Sequence, residues 1–89
     1  MKAVVTVTGK DCVGIIDDVS AVCAEFNANI VDITQSVLQE YFAMIMLVDI
    51  SALSISFAGF ADKMSELGEK KHLEIHTMHE DIFNTMHRI

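Results

Sequence analysis

The pattern of apolar and polar positions divides the chain into six main segments and a tail. Ala3-Val4-Val5-Thr6-Val7-Thr8 is β-branched and has no helical period, so it reads as a buried strand. The loop Gly9-Lys10-Asp11-Cys12-Val13-Gly14 follows. Ile15, Val19, Val22 and Phe26 then recur at the spacing of one helix face. Asp17 and Asp18 lie in the first turn, where carboxylates suit the positive end of the helix dipole. Asn27-Ala28-Asn29 closes the helix, because Asn tolerates the left-handed conformation. Ile30 to Gln39 reads as an edge strand, with Asp32, Thr34, Gln35 and Ser36 making it partly wet. A turn is placed at Gln39-Glu40, although no Gly or Pro marks it. Tyr41 to Ile50 is apolar at both alternating sets of positions, the mark of a central strand covered on both sides. Helices supply one cover; a terminal segment or another subunit must supply the other. Ser54 or Ser56 caps a second helix whose stripe is Phe57, Phe60, Met64 and Leu67, with Gly68 expected to loosen its last turn. Leu73 to Met78 alternates as a strand. Asp81 to Ile89 reads as a short helix with Ile82, Phe83, Met86 and Ile89 on one side, a candidate second cover for the sheet.

The order strand, helix, strand, strand, helix, strand predicts an α+β, ferredoxin-like βαββαβ sandwich. It comprises a four-stranded antiparallel sheet with two helices on one face, plus the short C-terminal helix. The two crossovers interleave, which places the first and third strands in the middle. At 89 residues, with no linker or low-complexity stretch, the expectation is one domain over 1–89.

Composition sharpens this. The apolar fraction of 52% is high for a small lone domain and points to a buried subunit interface. Thirteen acidic residues against 6 Lys and Arg give a net charge of −7, which opposes nucleic acid and anionic membranes as partners. No apolar run reaches the roughly 18 residues of a membrane span. The N-terminus lacks a signal-peptide pattern, so the expected location is the cytoplasm, with both Cys12 and Cys23 reduced.

Three features carry candidate chemistry. The glycine-bracketed loop leads from strand to helix and exposes backbone N–H groups, a natural anion seat; it equally reads as a tight turn. On a strand, His72, Glu74 and His76 share one face and offer ligands to a divalent metal, or simply form a solvated surface. Cys12 at a helix N-terminus is either a reactive thiol or a small filler. The six methionines read as core filler. There is no Ser or Cys with a local His and acid, and no Walker-type lysine after Gly14. Neither an enzyme nor a cofactor is expected.

The residues Val7-Thr8-Gly9-Lys10-Asp11-Cys12-Val13-Gly14-Ile15, Asn29-Ile30-Val31-Asp32-Ile33 and Gln35 resemble the ACT domain family. These are small ligand-binding regulatory modules of amino-acid metabolism. The stretches 32–38, 40–42 and 82–86 resemble its stand-alone, single-domain members. Many members carry Arg-Pro where Cys12-Val13 stand here, so this loop lacks a cation and a rigid proline. The resemblance implies a side-by-side homodimer through the second-strand edge. A small-molecule effector, an amino acid, would sit between the loop of one chain and the second strand of the other. The implied ligand-binding set is Gly9, Lys10, Asp11, Cys12, Val13, Gly14 and Ile15 with Asn29, Ile30 and Gln35. Loop N–H groups would take the carboxylate, and Asp11 or a carbonyl near Asn29 the ammonium. The expected function is a non-enzymatic regulatory module that acts on an enzyme or a transcription factor. The alternatives are a ligand-free adaptor between proteins, or a divalent-metal domain using His72 and His76.

Overall fold

The computed structural model describes residues 1–10 and 13–86; Asp11, Cys12 and 87–89 lie outside the described residues. Its elements are β1 (Lys2–Gly9), α1 (Ile15–Glu25), β2 (Asn29–Leu38), β3 (Tyr41–Asp49), α2 (Phe57–Lys71), β4 (Glu74–His79) and α3 (Glu80–Met86). The sheet order is β2-β3-β1-β4 and every pairing is antiparallel. The first and third strands hold the middle, as the interleaved crossovers require. β2 and β4 are the edges.

Directly opposed residues of a ladder point to one face. On one face Ala3, Val5 and Val7 lie beside Met44, Met46 and Val48, all 0% exposed. They form a single core with Ile15, Val19 and Cys23 of α1 and Phe60 and Met64 of α2. The helix periods read from the sequence are therefore the faces that become buried.

Local chemistry sets the ends. α1 opens on Gly14 in the left-handed region at φ 76°, and the Asp18 amide donates to the Gly14 carbonyl at 3.0 Å. Asn27 at φ 61° stops it, and the Ala28 amide returns to the Cys23 carbonyl at 2.8 Å. Of the two candidate serines, Ser56 caps α2: its Oγ accepts from the Gly59 amide at 3.0 Å. Ser54 instead donates its amide to the Phe26 carbonyl at 2.9 Å, tying the loop to α1.

Gly68 departs from expectation. It does not loosen α2, which continues to Lys71. A Cβ there would lie 2.8 Å from the Leu73 carbonyl oxygen and 3.1 Å from the Ile75 side chain. Gly68 is what lets the helix return tightly onto β4.

The C-terminal helix covers the second face only in part. α3 packs against β1 and β4 and seals Val4 to 3% exposure. On the same side of β3, Tyr41 remains 51% and Ile45 42% exposed. Ile89, expected on this helix, lies outside the described residues.

Candidate functional site at the glycine loop and the outer edge

The ladders fix where each candidate residue falls. Gly9 opposes Phe42, and Leu38 opposes Tyr41, so the glycine loop lies at the same end of the sheet as the β2–β3 turn. Asn29 opposes Asp49, which in turn opposes Lys2, at the other end. The seven-residue step from Lys2 to Gly9 spans about 23 Å of strand. One protomer therefore does not bring Gly9, Lys10, Val13 and Gly14 together with Asn29 and Ile30. Gln35 opposes Met44 and is exposed on β2, nearer the loop end.

The loop keeps donors available. Gly14 precedes α1 with no side-chain cap hydrogen bond, so the first helical N–H groups have no capping oxygen from their own N-cap residue. Val13 is 91% exposed, whereas Ile15 is 2% exposed and belongs to the core. Gly9 is held close: a Cβ there would collide with the Leu73 side chain. The loop also has a cation despite the missing arginine. The Lys10 amine stands 5.5 Å above the centre of the Tyr41 ring, within cation–π range. A cleft of about 650 Å³ opens beside it, with Tyr41, Lys71 and His72 among its walls. Tyr41 and Lys71 were not candidates from sequence, since only the sheet register and the end of α2 bring them to the loop. Lys71 also pairs with Asp18 across the helices at 3.1 Å. Asp11 and Cys12 lie outside the described residues.

β2 presents a long outer edge. Eight of its ten residues are exposed, and its ladder slips between Ile30 and Asp32, which leaves Val31 unpaired and 48% exposed. Ile30 itself packs against the core and has only its backbone to offer a ligand. Val37 and Leu38, near the loop end, are 71% and 73% exposed. An edge this long and this apolar is a template for pairing.

The histidine row does not form as the alternation suggested. His72 is the left-handed C-cap of α2 at φ 59°, outside β4, because the helix runs further than the strand pattern implied. Glu74 and His76 remain neighbours, at 3.4 Å. His79 stacks on Phe57, with ring centroids 4.0 Å apart. Among the described residues, no group of three or more His, Cys, Asp or Glu is placed to hold a metal ion. Cys23 is a free thiol in the core, and burial raises its pKa to about 11. Among the described residues, no helix is long and apolar enough to cross a membrane.

The comparisons agree with this architecture. The ACT domain family model matches residues 2–78. An UPF0237 protein of Clostridium acetobutylicum is 48% identical over 89 residues, covering all of both chains. An UPF0237 protein of Methanocaldococcus jannaschii is 47% identical over 88 residues, covering 99% of this chain and 98% of its own. Among solved structures, an ACT domain protein from Streptococcus pneumoniae superposes with a TM-score of 0.80 at 38% identity, covering 93% of each chain. The family match spans β1 to β3, α1, α2 and all but the last residue of β4, and relatives align from end to end, so this chain belongs to the ACT domain family.

Proposed function

We propose that the protein is a non-enzymatic regulatory module that binds a small molecule, an amino acid, at the seam of a homodimer. ACT domains are typically small-molecule-binding regulatory modules, and this chain carries the fold and the glycine loop of one. The observation that carries the finer reading is the position of Asn29 and Gly9 at opposite ends of the same sheet. Paired antiparallel about a two-fold axis, two β2 edges run in opposite directions. The Asn29 end of one chain then meets the end of the sheet where its partner's glycine loop lies. Residues kept about 23 Å apart in one protomer become neighbours across the seam.

In this arrangement the uncapped N–H groups after Gly14 receive the ligand carboxylate, aided by the helix dipole and by Lys10. Asp11 or backbone carbonyls near Asn29 receive the ammonium. Binding at a seam stabilises one arrangement of two subunits over another, which is how such a module would report to a regulated enzyme or transcription factor.

The test is a thermal-shift screen against the twenty amino acids. A ligand present at tenfold its Kd contributes about 1.4 kcal/mol, a rise of roughly 5–10 °C for a domain of this size. The rise should shrink sharply in Asp11→Ala and Asn29→Ala variants that keep the unliganded melting point. If no amino acid moves the transition, the ligand reading is wrong and a ligand-free adaptor takes its place.

A further inference from the structure

β3 is apolar on both sides, yet the chain itself fully covers only one. Val4 opposes Leu47, and Thr6 opposes Ile45; with Asp32 and Thr34 of β2 they point away from α1 and α2. On this side α3 forms a ridge at one part of the sheet and leaves the rest bare. A groove of about 220 Å³ runs between the two, floored by Ile45 and Leu47 and walled by Phe83, with Asp32, Glu80 and Asn84 also on its walls. Ile45, Tyr41 and Leu38 on the bare part are 42%, 51% and 73% exposed, and Ile82 on the ridge is 53% exposed.

Such a face is complementary to itself. A two-fold rotation about an axis lying in the face sets the ridge of each copy over the bare strip of the other. Of its charged positions, Lys2 and Asp49 lie at one end and Glu74 on the far edge strand, while Asp32 and Glu80 border the groove itself. The centre holds Ala43, Ile45 and Leu47 beside the hydroxyls of Thr6 and Thr34. An apolar strip of this kind is the core of a protein interface.

We infer that this face stacks on a second copy of itself, so that α3 of each chain covers the exposed strip of β3 in the other. Area decides the stoichiometry. Four strands of about eight residues span a face on the order of 500 Å², short of the roughly 800 Å² that each partner contributes to a standard interface. Two sheets joined along β2 present on the order of 1,000 Å², which suffices. The assembly is therefore a pair of sheet dimers, an inference that rests on the edge pairing proposed above. α3 lies beyond the family match, which ends at residue 78, while the single-domain relatives align through it. A helix shared by stand-alone chains but outside the common domain fits a role in their self-association. Each chain carries −7, so the stack tightens with added salt, which screens the repulsion.

Multi-angle light scattering at micromolar concentration, in 0.05 and 0.5 M salt, tests this on the wild type and three variants. Ile45→Asp and Ile82→Glu strike the strip and the ridge; Val31→Glu/Val37→Glu strikes the β2 edge, and circular dichroism checks that each is folded. The expected result is a wild-type mass of four times the 9.8 kDa chain, more complete at high salt. Ile45→Asp and Ile82→Glu should each fall to a dimer. A wild-type dimer lost in the edge variant and indifferent to both face variants overturns the stack and keeps the edge pairing. A wild-type dimer lost in the face variants and intact in the edge variant overturns both the edge pairing and the pair of sheet dimers built on it. A wild-type monomer overturns both.

Discussion

The two sides of β3 carry nearly the same chemistry and meet different fates. Met44, Met46 and Val48 are fully buried beneath α1 and α2, while Tyr41 and Ile45 one residue away remain half open. The strand's sequence does not distinguish them; the supply of covering elements does. Two long helices serve one face, and the seven residues of α3 serve the other. An apolar residue that a single chain cannot cover marks where another chain belongs, and both exposed regions, the β2 edge and this face, follow that rule.

Truncation should separate the two sides most strongly. Met46→Ala removes a fully buried side chain and is expected to cost about 2–5 kcal/mol in urea unfolding, whereas Ile45→Ala should cost about 1 kcal/mol or less in the isolated protomer. If the two costs are equal, the faces are not differently packed. Next comes the tight return onto β4. Gly68→Ala must displace the Leu73 backbone and is expected to lose about 1–3 kcal/mol, although alanine is the better helix former. A gain in stability would show that the approach is loose. Ser56→Ala removes the α2 cap and should cost about 1 kcal/mol, with Ser54→Ala smaller because only its backbone is engaged.

pH dependence gives the smallest effects, one on each side of neutrality. Burial raises Cys23 from 9.0 to about 11, so the folded state holds its proton where the unfolded state has lost it. That contribution is complete below pH about 9 and declines as pH rises toward 11. Cys23→Ala should therefore flatten the alkaline limb of the stability profile, and native Cys23 should resist alkylation. Hydrogen bonds from the Ser51 side chain and backbone lower Asp49, the amide one at 2.9 Å. A lowered carboxylate stabilises above its ordinary pKa of 3.8, and the contribution is lost as pH falls through the folded value. Ser51→Ala should make the acid limb shallower.

Much of the fold was legible. The recurrences Ile15-Val19-Val22-Phe26 and Phe57-Phe60-Met64-Leu67 are the buried or half-buried helix faces, and the double-sided apolar pattern of β3 gave its central place. The role of Gly68 was not legible, since close approach to Leu73 and Ile75 exists only once α2 turns back. His72 was misplaced for a related reason: alternation continues through it, but a left-handed cap ends the helix there. The glycine loop could be read as a motif, because its glycines and its strand-to-helix position are local. Its neighbours could not: Tyr41 and Lys71 come from distant segments. The other half of the seam belongs to a second chain, which no single sequence spells out.

The account turns on one measurement, ligand-induced stabilisation in protein whose β2 edges are prevented from pairing. With an amino acid that raises the wild-type melting temperature, the Val31→Glu/Val37→Glu variant should be monomeric by light scattering and show no rise. A rise of the same size in the monomeric variant would contradict the account, because the site would then be complete within one chain.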